Sequence, residues 1–419
     1  MIITKIMFKE WFDRNKKCII KDFCEYLSMK TTSPDESIAY DFLGKMFTDL
    51  GFKTWKEQIS EEAILHYEHC PYPMSKITSE DYNFKSFFDA KCDKTLLISC
   101  HIDVVPSSDK WESAYTPVIK MDEKNSEVIY ARGACDTKGN LLMFLTSLRF
   151  LKDNKIPLAF NIEYDGVVEE EIGGIGALST ALLKKENKDI YGVIVLEPTS
   201  FKIYRGHRGC LGVTITIKGE STHMGSSSAM SPVEAIGYLV EALNDLEKEF
   251  ISIAKMDEAY RNVDRPVQIN IGKIIGGQWH GSTMHDCQLS VNVGFPHEYN
   301  IKQVENRLHK ILKEQESKTN LNYIIELDGI RNEAYIDNDN KDFYNNFKNK
   351  IQEVTSENGE IGAWKVSCDA RIYANHMSVP TLIFGCGDLE DAHNCDEKLR
   401  ISDLEKAAYV FAKYLSNTN

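Results

Sequence analysis

The sequence predicts an α/β fold in two domains, the second inserted into the first, and three observations carry that prediction. Apolar runs of strand length recur outside the middle of the chain, at Leu96–Cys100, Leu158–Val168, Ile190–Leu196 and Thr381–Phe384, with helical periodicity between them. From Leu211 to Leu327 the pattern changes to strand, helix, strand, strand, helix, strand. A length of 419 residues at 42% apolar content is enough for two domains, or for one large domain with an insertion. The reading is a main domain over 1–206 and 329–419 and an inserted domain over 207–328, with boundaries near Gly206 and Gly329.

In chain order, Ile6–Ser28 has Phe8, Trp11, Phe12, Ile19, Ile20, Phe23 and Leu27 at near-helical spacing and reads as an amphipathic helix. A Thr31–Pro34 turn leads into a second helix, Glu36–Leu50, stopped by Gly51. Phe52–Asp93 has no clear period; His66, His69 and Cys70 fit no standard metal spacing and read as a surface loop. Next comes the strand Thr95–Pro106, at whose end His101 and Asp103 stand two residues apart and so point to one side. That pair suits a metal ligand with the acid that orients it, or an ordinary strand end. Asp136 lies in the Gly-flanked turn Arg132–Gly139, just before the helical run from Leu141 to Leu151. A carboxylate there can bridge two metals, or can simply cap the helix.

The strand Leu158–Val168 ends in Glu169, Glu170 and Glu171, which need a cation or solvent to offset their charge. Gly174-x-Gly176 follows, but Ser179 stands at the third glycine position and acids precede the loop, so a dinucleotide site is rejected. Ile190–Leu196 delivers Glu197, and Thr381–Phe384 precedes a loop holding His393. Two imidazoles and three carboxylates at strand ends are the inventory of a two-metal hydrolytic site suited to zinc.

Composition excludes other classes. A formal net charge of −14 without a local basic cluster argues against nucleic acid or an anionic membrane as partner. Eleven cysteines without C-x-x-C spacing form no disulfide framework and read as reduced thiols. The N-terminal stretch lacks a signal-peptide core and no apolar run reaches a membrane span, so a soluble cytoplasmic protein is expected.

At these residues the chain resembles the co-catalytic zinc family of acetylornithine deacetylase, succinyl-diaminopimelate desuccinylase, aminoacylase and glutamate carboxypeptidase. CHIDVVP, ARGACDTKGN, EEEIGG, LEPTS, RGHRG, STHMGSSSAMSPVEA and DAHNCDE carry the resemblance, in the family's order and over nearly the whole length. It implies a zinc-exopeptidase-like catalytic domain with a mixed central sheet and two Zn2+, for which Co2+ or Mn2+ could substitute. His101, Asp136 and Glu197 would hold one ion; Asp136, Glu171 and His393 would hold the other, with Asp136 as the bridge. Asp103 would orient His101, and Glu170 would be the general base that takes a proton from the attacking water and returns one to the leaving amine. Glu169 would remain an outer or structural acid.

The resemblance further implies that the inserted domain is a ferredoxin-like lid, often a homodimer interface, whose βαββαβ order the chain matches. His223 would polarise the scissile carbonyl from the partner subunit. Arg371, with His207 and Arg208 of the RGHRG run, would contact substrate, Arg371 by forking a carboxylate. Three places depart from the family pattern: Gly281–Met284 stands for an Asn-Val-Val-Pro-like run, Gly294-Phe295 for an arginine, and Cys386 for the proline of a GPG turn. The expected activity is removal of an acyl group, acetyl first, from an N-acyl amino acid. An exopeptidase is the alternative within the same chemistry, and a catalytically silent binding relative the alternative outside it.

Overall fold

The computed structural model describes residues 2–66, 75–108, 110–111, 113–123, 125–226, 230–355 and 357–417. His69 and Cys70 lie outside the described residues. The chain divides into two compact units, 1–205 with 337–362 and 368–419, and 206–336 with 363–367. The chain therefore returns to the larger unit after Ile336; Gly329, where the return was expected, lies inside the strand Asn322–Asn332.

The larger unit is built on a mixed sheet ordered Lys53–Gln58, Tyr82–Phe88, Asn161–Val167, Thr95–His101, Ile190–Leu196, Thr381–Phe384, Ile203–His207, the last strand running on into the smaller unit from Gly206. The four strands from Asn161–Val167 to Thr381–Phe384 are parallel neighbours, and the flanking pairings are antiparallel. Helices Lys138–Asp153 and Ile175–Lys184 are the crossovers that parallel pairing requires. Thr95–His101 is buried at every position, as befits a strand covered on both faces. Because the four parallel strands run the same way, their carboxyl ends share one rim, where α/β sheets carry their ligands. His101, the acids 169–171, Glu197 and the loop bearing His393 all leave the sheet at that rim.

One apolar core holds the unit together, with Phe8, Phe23, Phe47, Phe144, Phe347 and Phe411 from five helices packed on the sheet. The first helix, Lys5–Leu27, starts on Thr4, whose hydroxyl accepts from Met7 N–H at 3.2 Å. Helix Tyr40–Leu50 ends on Gly51 at φ +95°, a left-handed stop that glycine adopts without strain.

The segment without a legible period contains two antiparallel strands, Lys53–Gln58 and Tyr82–Phe88, and the short helix Glu61–Leu65. Its concealment has a physical cause. Asn83, Lys85 and Ser86 are buried within Tyr82–Phe88, so no polar–apolar alternation shows. The Lys85 ammonium is tolerated there because it pairs with Asp165 and with Glu57 at 3.0 Å, and donates to Thr180 Oγ1 at 2.5 Å. A small antiparallel sheet of Val118–Met121, Glu127–Tyr130 and Lys398–Arg400 was likewise not expected.

The smaller unit is a four-stranded antiparallel sheet with helices Pro232–Ala254 and Ile301–Thr319. Its strands lie in the order Ile269–Gly276, Asp286–Phe295, Gly209–Lys218, Asn322–Asn332, the ferredoxin-like arrangement that the βαββαβ pattern predicts. Both helices open on capping boxes, at Ser231 with Glu234 and at Asn300 with Gln303. Among the described residues no helix is long and apolar enough to cross a membrane.

Candidate metal centre

His101 is the last residue of its strand, and its ring is aimed by the chain that follows. Nδ1 lies 2.8 Å from the backbone carbonyl of Asp103, the geometry of an N–H donor to that oxygen, which leaves Nε2 to face the rim. The Asp103 carboxylate stands 3.7 Å from the same Nδ1 and is engaged elsewhere: its two oxygens accept from Glu170 N–H at 3.2 Å and Glu171 N–H at 3.1 Å. Asp103 thus bonds the His101 ring through its backbone carbonyl, while its side chain stands beside the ring and holds the acid pair.

Asp136 occupies the centre. Oδ1 is 3.1 Å from His101 Nε2, and Oδ2 is 3.1 Å from His393 Nε2. His393 also approaches the Glu171 carboxylate, at 3.0 and 3.2 Å. Ligand atoms of His101, Asp136 and Glu171 all lie within 4.8 Å of one another. Glu197, 4% exposed, follows the neighbouring strand and feels the charges of His101 and Asp136.

The electrostatics show what such a cluster costs without a cation. Burial would raise the Asp136 pKa, but hydrogen bonds from His101 and His393 hold it well below the usual carboxylate range. Bonds to Asp136 and Glu171 in turn pull His393 up to about 11. Burial, with neighbouring carboxylates adding, pushes Glu170 and Glu197 well above the ordinary glutamate value. Two imidazoles stand among the gathered acids and offset part of their charge. That donor set, nitrogen and oxygen atoms converging around one two-oxygen bridge, fits a pair of divalent ions.

Loops around the site are tied down by Asn140, given no role from the sequence, and by Glu169, expected there as an outer or structural acid. Asn140 donates to the Cys135 carbonyl at 2.9 Å, and its Oδ1 accepts from Cys386 N–H at 2.8 Å. Proline has no such N–H, so the cysteine at this turn makes a bond that the family's proline could not. Gly385 is needed beside it, because a Cβ there would lie 2.2 Å from Asn140 Oδ1 and 2.4 Å from the Glu197 carbonyl. Glu169, 1% exposed, accepts from Ser33 Oγ at 2.6 Å, Ser75 Oγ at 2.5 Å and Lys76 N–H at 3.0 Å. It joins two connecting segments below the acid pair. Such residues have no periodic signal; only their place inside recognisable motifs hinted at them.

Expected substrate contacts fare differently. Arg371 is 1% exposed, and Nη1 and Nη2 donate to the carbonyls of Cys368 at 2.8 Å and Gly173 at 2.9 Å. Its fork holds the glycine turn after the acid pair and is not presented to a substrate carboxylate. His207 is also corrected: it is wholly buried in the smaller unit, edge-on to Tyr335 at 5.0 Å, with Nδ1 2.8 Å from the Arg208 carbonyl. Arg208 donates to the carbonyls of Lys365 at 2.7 Å and Gly209 at 3.0 Å. In the same unit His223 pairs with Ser282 as an isolated bridge. Thr283 N–H donates to the Thr222 carbonyl at 2.9 Å and Met224 N–H to that of Gly281 at 3.1 Å. The departure at Gly281–Met284 thus forms the backbone support of the His223 loop.

Comparison with known proteins gives a consistent context. Residues 97–417 match the model of peptidase family M20/M25/M40. A probable succinyl-diaminopimelate desuccinylase of Staphylococcus epidermidis is 25% identical over 349 residues, covering 76% of this chain and 83% of that protein. A probable carboxypeptidase of Paracoccidioides lutzii is 25% identical over 351 residues, covering 81% and 73%. Among solved structures, a di-peptidase from Saccharomyces cerevisiae superposes with a TM-score of 0.73 at 16% identity, covering 97% of each chain.

Proposed function

The chain belongs to peptidase family M20/M25/M40, and from that premise we propose a dinuclear zinc amidohydrolase that removes an acyl group, acetyl first, from an N-acyl amino acid. The observation that carries the reading is the Asp136 carboxylate, one oxygen 3.1 Å from each of two imidazole Nε2 atoms. His101, Asp136 and Glu197 would hold one ion, and Asp136, Glu171 and His393 the other; Co2+ or Mn2+ could replace zinc. When bound, the ions supply Lewis acidity that lowers the pKa of a water and polarises the scissile carbonyl. Glu170 takes the proton from the attacking water and returns one to the leaving amine. Asp103 holds Glu170 and Glu171 in register through their N–H groups, at 3.2 and 3.1 Å.

The second reading, an exopeptidase on dipeptides or a C-terminal residue, is supported by the carboxypeptidase and di-peptidase similarity. Both activities cut an amide beside a carboxylate. One measurement separates them: mass spectrometry of products from N-acetyl, N-succinyl and N-formyl amino acids and simple dipeptides, with zinc-loaded protein, with and without chelator. Chelator-sensitive acetate release supports the deacylase. Cleavage of dipeptides alone makes the protein a peptidase, and turnover that survives exhaustive metal removal refutes both. We place His223 in the partner's site of a homodimer; mixed dimers of His223→Ala and Glu170→Gln subunits should then recover part of the activity that each variant lacks.

A further inference from the structure

One buried carboxylate that the chemistry above does not use binds the bridging aspartate's loop from below. Glu397 is wholly buried, and both of its oxygens accept hydrogen bonds, two on Oε2 and three on Oε1, the weakest of them from Cys135 Sγ at 3.6 Å. Oε2 takes Arg132 Nη1 at 2.7 Å and Gly133 N–H at 3.0 Å; Oε1 takes Cys135 N–H and Asp136 N–H, both at 3.0 Å. The carboxylate therefore holds three backbone amides of the turn that presents Asp136, and Arg132 balances its charge inside the protein. Glu397 also belongs to the segment that carries His393, four residues earlier in the chain. Its own carbonyl accepts from Ala131 N–H at 3.1 Å, and Lys398–Arg400 continues as a strand paired with Val128–Tyr130.

We propose that Glu397 is a positioning residue that fixes the distance between Asp136 and His393, and so sets the affinity of the metal those two share. The inference rests on the proposed metal roles of Asp136 and His393. Its logic is geometric. His101 stands at the end of a buried strand, and Thr137 Oγ1 ties the Asp136 turn to the Leu196 carbonyl at 2.9 Å, so the His101 side has support of its own. His393 sits at φ +59° in a loop, its side chain 52% exposed, and reaches the Asp136 turn through Glu397. Loosening Glu397 should release the His393 side and leave the His101 side in place. A glutamine keeps the shape but turns an N–H2 toward backbone donors, so the latch cannot close fully.

The test is calorimetric titration of chelator-treated protein with Zn2+, together with the visible spectrum of Co2+-loaded protein, for wild type, Glu397→Gln, Arg132→Lys and His393→Ala. Wild type should bind two ions, and His393→Ala should identify the step that depends on His393. Glu397→Gln is expected to weaken that same step about 10–100-fold while moving the other by about threefold or less. The Co2+ spectrum of that step should change, and the far-ultraviolet circular dichroism should not. Unchanged affinity for both steps, or an equal loss in both, overturns the proposal. Should Glu397→Gln fail to fold, Arg132→Lys decides by the same readout: selective weakening of the His393 step supports the latch, and no change or uniform change overturns it. Failure of wild type to bind two ions would instead remove the metal reading on which the latch rests.

Discussion

His101 and His393 bring the same atom, Nε2, to within 3.1 Å of one carboxylate from opposite kinds of place. His101 closes a strand buried at every position, and its side chain is 1% exposed. His393 stands in a loop with a left-handed backbone and is half exposed. One side of the centre thus inherits its geometry from the parallel sheet. The other depends on a few side-chain bonds, those of Glu397 and Asn140 above all. A site built in this way can keep its buried side while the exposed side varies in strength or opens for a substrate.

The largest effect should come from the acid that both sides serve. Glu170→Gln is expected to lower kcat by about 10²–10⁴-fold, the usual worth of a general base, with both metals retained. Turnover assays beside metal analysis check this, and a variant with normal turnover would remove Glu170 from the base role. Next in size is the contrast between the histidines. In chelator-treated protein His101→Ala should cost about 1–3 kcal/mol, because it leaves buried polar partners unsatisfied. His393→Ala, at a half-exposed position, should cost about 0.5 kcal/mol or less. Denaturant unfolding of the two variants reads the difference, and equal losses would break the comparison.

The same contrast explains what could be read in the sequence. Strand ends were legible because Leu96–Cys100 and Ile190–Leu196 are largely apolar runs of strand length that His101 and Glu197 follow directly, and because the three acids at 169–171 stand together after the more mixed strand Leu158–Val168. The ferredoxin-like order was legible because Leu211–Lys218 alternates and the later segments follow it in βαββαβ order. Tyr82–Phe88 was not, since a buried lysine paired with Asp165 looks from the sequence like a surface residue. Glu397 lay in plain view inside DAHNCDE, yet its partners are backbone amides more than 260 residues away, and no local pattern encodes them. Arg371 misled for the converse reason: an arginine that donates to two carbonyls looks, in one dimension, the same as one that waits for a carboxylate.

The smallest effect probes the buried side alone. Glu36, 1% exposed, lies near Asp103 and Glu169, and its Oε1 has no hydrogen-bond partner among the described residues. Burial first, then the charges of those acids, pushes its pKa up to about 8. The native protein therefore keeps a proton that the unfolded chain releases above about pH 4.5, near the ordinary glutamate value. Stability from this group is complete below about pH 4.5, declines as pH rises toward about 8, and changes no further beyond it. Glu36→Gln cannot ionise and should remove the decline. The variant should match wild type at about pH 4.5 and exceed it at about pH 9, measured by denaturant unfolding with chelator present. An identical slope in both proteins would show that Glu36 is not charged against its neighbours. The pH response of the His101 side would then lie with Glu197 and Asp136, whose pKa values burial and the neighbouring imidazoles move in opposite directions.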